Sequence, residues 1–216
     1  MPSFPEAVVT LASEAVRTSL SGADTSPEQI LLTTIGPSAA LTAQFFGPSR
    51  SFVTLQRDGK LRGCIGNLEY RRSLYYDIIR NARRAMADPR LSPIEPSEWE
   101  DLHIEVSLLE DPIVMEETGF DALYAALEPG VDGLTLRQGQ RRATFLPTVW
   151  RSLPEPEQFV GALLRKGGWA DDAWPEGIRI ERYRTDNYDS PPPRPALTVA
   201  PAGAGYPDDA AEPERS

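Results

Sequence analysis

The sequence predicts an α+β fold of two lobes, each built of mainly antiparallel strands with flanking helices. Three observations carry this. Residues 52–66 and 133–145 read as hairpins around Asp58-Gly59 and Gln138-Gly139, dipeptides suited to tight turns. Residues 73–87 and 154–166 carry apolar residues at helical spacing. Residues 102–109, LHIEVSLL, alternate apolar and polar at period two. Hairpins beside helices, with no repeating strand-helix-strand unit, suit sheets covered by helices on one side.

At 216 residues the chain can bury a substantial core. Its 40% hydrophobic and 25% charged residues are ordinary for a globular protein. The formal net charge of −10 argues against binding nucleic acid or an anionic membrane, either of which calls for a basic surface. One cysteine precludes an intramolecular disulfide and fits a reducing compartment. With a single His as well, no Cys/His zinc set is available, so no metal is expected. The N-terminus lacks the basic and long apolar regions of a signal peptide, and no apolar run suits a membrane span, so the expected location is cytoplasmic.

In chain order, Ser3-Phe4-Pro5-Glu6 reads as a capping box that opens a helix running to about Leu20. Gly22 to Pro27 breaks it, and Pro37-Ser38 starts a short helix with Leu41, Phe45 and Phe46. The strands Phe52–Arg57 and Lys60–Gly66 follow. A two-residue loop at Asp58-Gly59 would pair Arg57 with Lys60, Leu55 with Arg62 and Val53 with Cys64. Ser73 to Ala87 is a helix with Leu74, Ile78, Ala82, Ala85 and Met86 inward, and Arg80, Arg83 and Arg84 are expected on its solvated face. Asp88-Pro89 stops it, because a residue before proline is pushed out of the helical region.

Pro93 to Trp99 is a loop or a single helical turn. In the strand Leu102–Leu109, Leu102, Ile104, Val106 and Leu108 form one face, and His103, Glu105 and Ser107 the other. A short helix at 119–127 precedes the second hairpin. Pro154 to Lys166 is a helix with Phe159, Val160, Leu163 and Leu164 inward, capped by Gly167-Gly168. Ile178 to Arg184 is the last strand. From Asp189 the composition turns to Pro, Ala and acid, with little to bury. Residues 1–188 are therefore expected to form the domain, and 189–216 a disordered tail. No internal repeat and no Gly-rich phosphate loop is present, so no cofactor is expected.

The second strand of the first hairpin holds Leu61-Arg62-Gly63-Cys64-Ile65-Gly66 and the only thiol of the chain. Glycines inside a strand weaken it and mark close approach of another group to the backbone. Arg62 near Cys64 would lower the thiol pKa and raise its thiolate fraction. The blander reading is a cysteine buried as a small hydrophobe beside an arginine that snorkels. His103 with Glu105 is by default an exposed polar face. Were that face to lie near Cys64, His103 would serve as base and Glu105 as its orienter.

LRGCIG in this setting resembles the signature of the AMMECR family, also called the AmmeMemoRadiSam system protein A family. FVTL, NARRAMADPR, IEVSLL, GVDGLTL, FLPTVW and the segment from Phe159 to Trp174 match it in order, over about Phe4 to Tyr188. The resemblance implies an intracellular α+β domain of two lobes with a groove between them, and no established reaction. It also implies two partners, a radical-SAM protein and a Memo-like protein. It supports Glu105 and Ser107 as site residues more than His103, since no histidine is required before Ile-Glu-Val-Ser.

Two functions follow. One is a component of a radical-SAM/Memo-linked metabolic or modification pathway, with a groove site for an unknown small molecule around Leu61–Gly66. There Arg62 would hold an anion, and Cys64 would be nucleophile or redox centre, with Glu105, His103 and Ser107 nearby. The other is a non-catalytic interaction module that presents the same motif to a partner backbone.

Overall fold

The computed structural model describes residues 2–171 and 174–198. Two compact units make up the chain, residues 2–107 with 187–198, and residues 108–186. The α+β class is as expected, with antiparallel hairpins and flanking helices in both units.

In the first unit, α1 (Phe4–Leu20) opens on the Ser3–Glu6 capping box and buries Val8, Leu11, Ala12 and Ala15. α2 (Pro27–Ile35) opens on a second capping box, Ser26 with Gln29, where the sequence reading places no helix. Ser38 caps α3 (Ala39–Phe46). The strands β1 (Pro48–Ser49) and β4 (Arg72–Ser73) pair around the first hairpin, formed by β2 (Ser51–Arg57) and β3 (Lys60–Gly66). α4 (Leu74–Ala85) packs on α1, β2 and β3. A 3-10 turn at Pro96–Asp101 leads into β5 (Leu102–Leu109). With the last strand, β10 (Thr185–Ser190), these form a sheet ordered β10-β5-β2-β3, so β3 is an edge.

The core of this unit lies between the sheet and the helices. Val53, Leu55, Leu102, Ile104 and Val106 from the strands meet Ile78, Ala82 and Ala85 of α4, all fully buried. Two polar residues of α4 are buried with them. Asp77 accepts hydrogen bonds from the Ser51 amide (3.1 Å) and hydroxyl (2.7 Å), and Asn81 donates to the Ser51 carbonyl (3.1 Å). Asn67 also donates to Asp77. These bonds pin both ends of the hairpin to the helix. Burial raises the Asp77 pKa above its ordinary value, against the lowering effect of these donors.

The hairpin register differs from the expected one. Arg57 pairs with Lys60 and Gln56 with Leu61, as a two-residue loop requires. Leu55 then pairs with Gly63, so Arg62 is an extra residue, a β-bulge. Beyond it Thr54 pairs with Cys64, and Val53 with Ile65 rather than with Cys64. The physical reason is α4. A Cβ on Gly63 would overlap the carbonyl oxygen of Ala85 and lie 2.8 Å from its carbon, so only glycine can take the helix-facing position opposite Leu55.

The second unit holds β6 (Ile113–Met115), α5 (Phe120–Ala126), β7 (Gly133–Gln138), β8 (Arg141–Phe145), α6 (Pro156–Lys166) and β9 (Arg179–Tyr183). Its sheet is ordered β6-β9-β7-β8. Leu134, Leu136, Ile180, Phe159, Leu163 and Leu123 form its core. Trp150 stacks on Phe159 with centroids 3.9 Å apart, and its indole N–H donates to the Asp132 carbonyl (2.7 Å), which satisfies the polar end of a buried aromatic.

The boundary expected at residue 189 falls inside β10. Order continues past it because Arg194 is an anchor. Its guanidinium lies 4.9 Å from the Trp99 ring centroid and donates to the carbonyls of Leu102 (2.6 Å) and Ser190 (2.7 Å), while the Trp99 indole donates to the Pro195 carbonyl (2.7 Å). The tail expected beyond, residues 199–216, lies outside the described residues.

Candidate functional site

The site is built on the backbone of Cys64. Because β3 is an edge strand, the outward amide and carbonyl of Cys64 have no neighbouring strand. Two residues after the end of α4 supply what is missing. Asp88 Oδ2 accepts from the Cys64 amide (3.0 Å), and Arg90 donates to the Cys64 carbonyl (3.1 Å). The two side chains also bind each other, through Arg90 Nε to Asp88 Oδ1 (2.9 Å) and Arg90 Nη2 to Asp88 Oδ2 (2.6 Å). Asp88 is fully buried. The hydrogen bonds from Arg90, with that from the Cys64 amide, hold its carboxyl well below the usual carboxylate range despite burial. The pair thus clamps one peptide in place of a strand.

With both backbone groups of Cys64 directed outward, Cys64 and Thr54 form a non-hydrogen-bonded cross-strand pair, in which side chains come closest. The Thr54 hydroxyl donates to Cys64 Sγ at 3.4 Å. Their face of the sheet is the one turned away from α4, because Val53, Leu55 and the absent Gly63 side chain take the helix side. On β5, Ile104 and Val106 take the helix side, so Glu105 and Ser107 share the face of Thr54 and Cys64. Glu105 lies close enough for its charge to act on the thiol.

Cys64 itself is half-buried. Burial pushes its thiol pKa up. The Thr54 hydrogen bond and the Arg90 charge oppose this, and the charges of Asp88 and Glu105 add to it. The free protein therefore holds a protonated thiol, not the thiolate expected from a neighbouring Arg62.

Arg62 is engaged elsewhere. Its Nε and Nη2 grip Glu98 Oε1 and Oε2 at 2.7 and 2.9 Å, and it reaches the Pro93 carbonyl at 3.3 Å. Their pairing raises the pKa of Arg62 and lowers that of Glu98. The bulge turns Arg62 to this partner, and the guanidinium acting on Cys64 belongs to Arg90, which the sequence reading did not single out. His103 is not brought to the thiol either. Its Nε2 lies 3.2 Å from Asp189 Oδ2 of β10. Of the other motif residues, Leu61 is exposed, Ile65 is half-buried opposite Val53, and Gly66 faces Phe52. A Cβ on Gly66 would overlap the Phe52 ring and lie 2.5 Å from the Ser51 carbonyl oxygen.

The expected polar, solvated face of β5 is instead covered. Glu105 is 7% exposed and Ser107 1%. Neither side chain makes a hydrogen bond or ion pair among the described residues. Among the described residues there is also no cluster of three metal-ligating side chains, and no helix is long and apolar enough to cross a membrane.

Fold and site together define a class: α+β proteins of two units, with a lone thiol on a clamped, bulged edge strand. The AMMECR1 family model matches residues 9–188, and the chain belongs to that family. A protein of Methanothermobacter thermautotrophicus is 35% identical over 141 residues, covering 62% of this chain and 71% of that protein. One from Thermotoga maritima is 34% identical over 139 residues, covering 62% and 76%. The crystal structure of the uncharacterized protein PH0010 from Pyrococcus horikoshii superposes with a TM-score of 0.75 at 25% identity, over 88% of this chain and 93% of that one.

Proposed function

We propose that the protein performs a thiol-dependent step on a small molecule at Cys64, within a cytoplasmic metabolic or modification pathway that also uses a radical-SAM protein and a Memo-like protein. The pathway and its partners come from the resemblance of the LRGCIG motif and its companion stretches. The observation that supports a site is the pair of buried side chains without hydrogen-bond partners among the described residues, Glu105 and Ser107, on the same sheet face as a half-buried thiol two strands away. Their acceptors are not used within the described chain and are available to a ligand. Cys64 acts as the nucleophile. Its sulfur bonds to an electrophilic carbon of the substrate, the thiol proton passes to water, and the displaced electron pair leaves with the substrate's leaving group. Thr54 orients the sulfur, and the Asp88–Arg90 clamp fixes the strand beneath it.

The interaction-module reading draws less support. The close approaches at Gly63 and Gly66 are filled by Ala85 and Phe52 of the chain itself, and Arg62 is bound to Glu98. A Cys64→Ser variant separates the two. It is expected to unfold at the denaturant midpoint of the parent and to abolish product in a reconstitution with the radical-SAM and Memo-like proteins. Full product formation by Cys64→Ser, with partner pull-down weakened by Arg62→Ala, would favour the module instead.

A further inference from the structure

The face that carries Cys64 holds one charge that nothing balances. Asp88 is paired with Arg90, and Glu98 with Arg62, so each of those pairs is close to neutral. Glu105 remains. It is more than nine-tenths buried, it shares the sheet face of Thr54 and Cys64, and it has neither cation nor hydrogen-bond donor among the described residues. A buried charge without a partner is costly and favours a counter-ion. Ser107, two residues on along the same face, adds a hydroxyl that is equally without a partner. Thr54 donates its proton to Cys64 Sγ and keeps lone pairs free to accept.

We propose that this face binds the cationic group of a small molecule, an alkylammonium, with Glu105 as its counter-ion, Ser107 and Thr54 as acceptors, and the Cys64 sulfur beside it. Three acceptors match the three N–H donors of an ammonium. This rests on the reading of Cys64 as the reacting centre and names the substrate class for it. A bound cation offsets the Glu105 charge, one of the lesser influences that raise the Cys64 pKa, and so shifts the thiol toward its thiolate.

The single thiol lets the full-length protein report on this directly. Three methanethiosulfonate reagents serve as probes: the 2-aminoethyl (cationic), 2-sulfonatoethyl (anionic) and methyl (neutral) forms. Each rate is divided by that of N-acetylcysteine amide at the same pH. The cationic reagent is expected to exceed the anionic one by at least about tenfold in normalised rate, the lower end of electrostatic focusing in a cleft. In Glu105→Gln the ratio should fall to near one, with the neutral rate changed less than about threefold. A wild-type ratio near one, or a ratio that Glu105→Gln leaves intact, overturns the cation assignment; the wild-type ratio decides alone if the variant does not fold. A neutral reagent that modifies native Cys64 while charge makes no difference sinks only this inference. A thiol that no reagent reaches before unfolding sinks the reading of Cys64 as a reacting centre as well.

Discussion

Replacing Gly63 by alanine is expected to destabilise the first unit by about 3 kcal/mol or more, at the upper end of what overpacking costs. The added methyl would overlap the Ala85 carbonyl oxygen. That oxygen is backbone at the end of α4, so no side-chain rotation relieves the clash. Either the helix end moves away from β3 or the strand leaves the sheet. Movement of the helix end also displaces Asp88 and Arg90, which follow it by a few residues and hold Cys64. The check is chemical denaturation of the full chain, monitored at the tryptophans. A Gly63→Ala protein with the parent's midpoint would mean that β3 does not lie against α4 as described.

Asp88→Asn is expected to cost about 2–3 kcal/mol at neutral pH, the scale of losing charge-assisted hydrogen bonds and leaving a backbone amide poorly paired. The variant should also lose part of the acid dependence of stability. The Asp88 pKa in the folded protein is depressed, chiefly by the hydrogen bonds from Arg90. A depressed carboxyl contributes stability that is complete above its unfolded pKa of about 3.9 and is lost as pH falls from there toward the folded value. Glu98, lowered by Arg62, acts in the same sense, whereas Asp77, raised by burial, acts in the opposite sense. The difference between parent and Asp88→Asn isolates the clamp. Denaturation curves from pH 7 down to pH 2 should converge as the acid limit is approached. Curves that stay parallel throughout would mean that Asp88 is not ionised against Arg90.

Much of the fold was legible because its signals are local. The Ser3–Glu6 box, the Asp58-Gly59 turn and the 3.6-residue stripe of α4 each declare themselves within a few residues. The strand alternation in β5 was also sound, with Leu102, Ile104 and Val106 all inward. What could not be read came from tertiary contacts. The bulge at Arg62 follows from Ala85, a residue 22 positions beyond Gly63 that approaches only in the folded chain. Hairpin arithmetic without that constraint put Arg62 beside the thiol, when it belongs to Glu98. The Asp88–Arg90 clamp was hidden by a second role, since Asp88-Pro89 already explained the end of the helix. The clue available was that an edge strand needs something to satisfy its outer groups. Arg194 and its ordered segment were masked by a composition that otherwise reads as a tail. Glu105 and Ser107 were placed on the correct face, and only the structure showed that face to be covered.

The central claim is that Cys64 sits in the native protein as a reachable but protonated thiol. Its alkylation by iodoacetamide, followed from pH 5 to pH 10 on the folded chain, tests this most directly, because no other thiol contributes to the signal. The partial exposure of Cys64 predicts reaction before unfolding, and burial, the dominant influence on its pKa, predicts a rate still rising steeply with pH at about pH 8.5, the ordinary midpoint of a free cysteine. A rate that levels off below about pH 7.5 would reveal a thiolate held by a neighbouring cation and contradict the account.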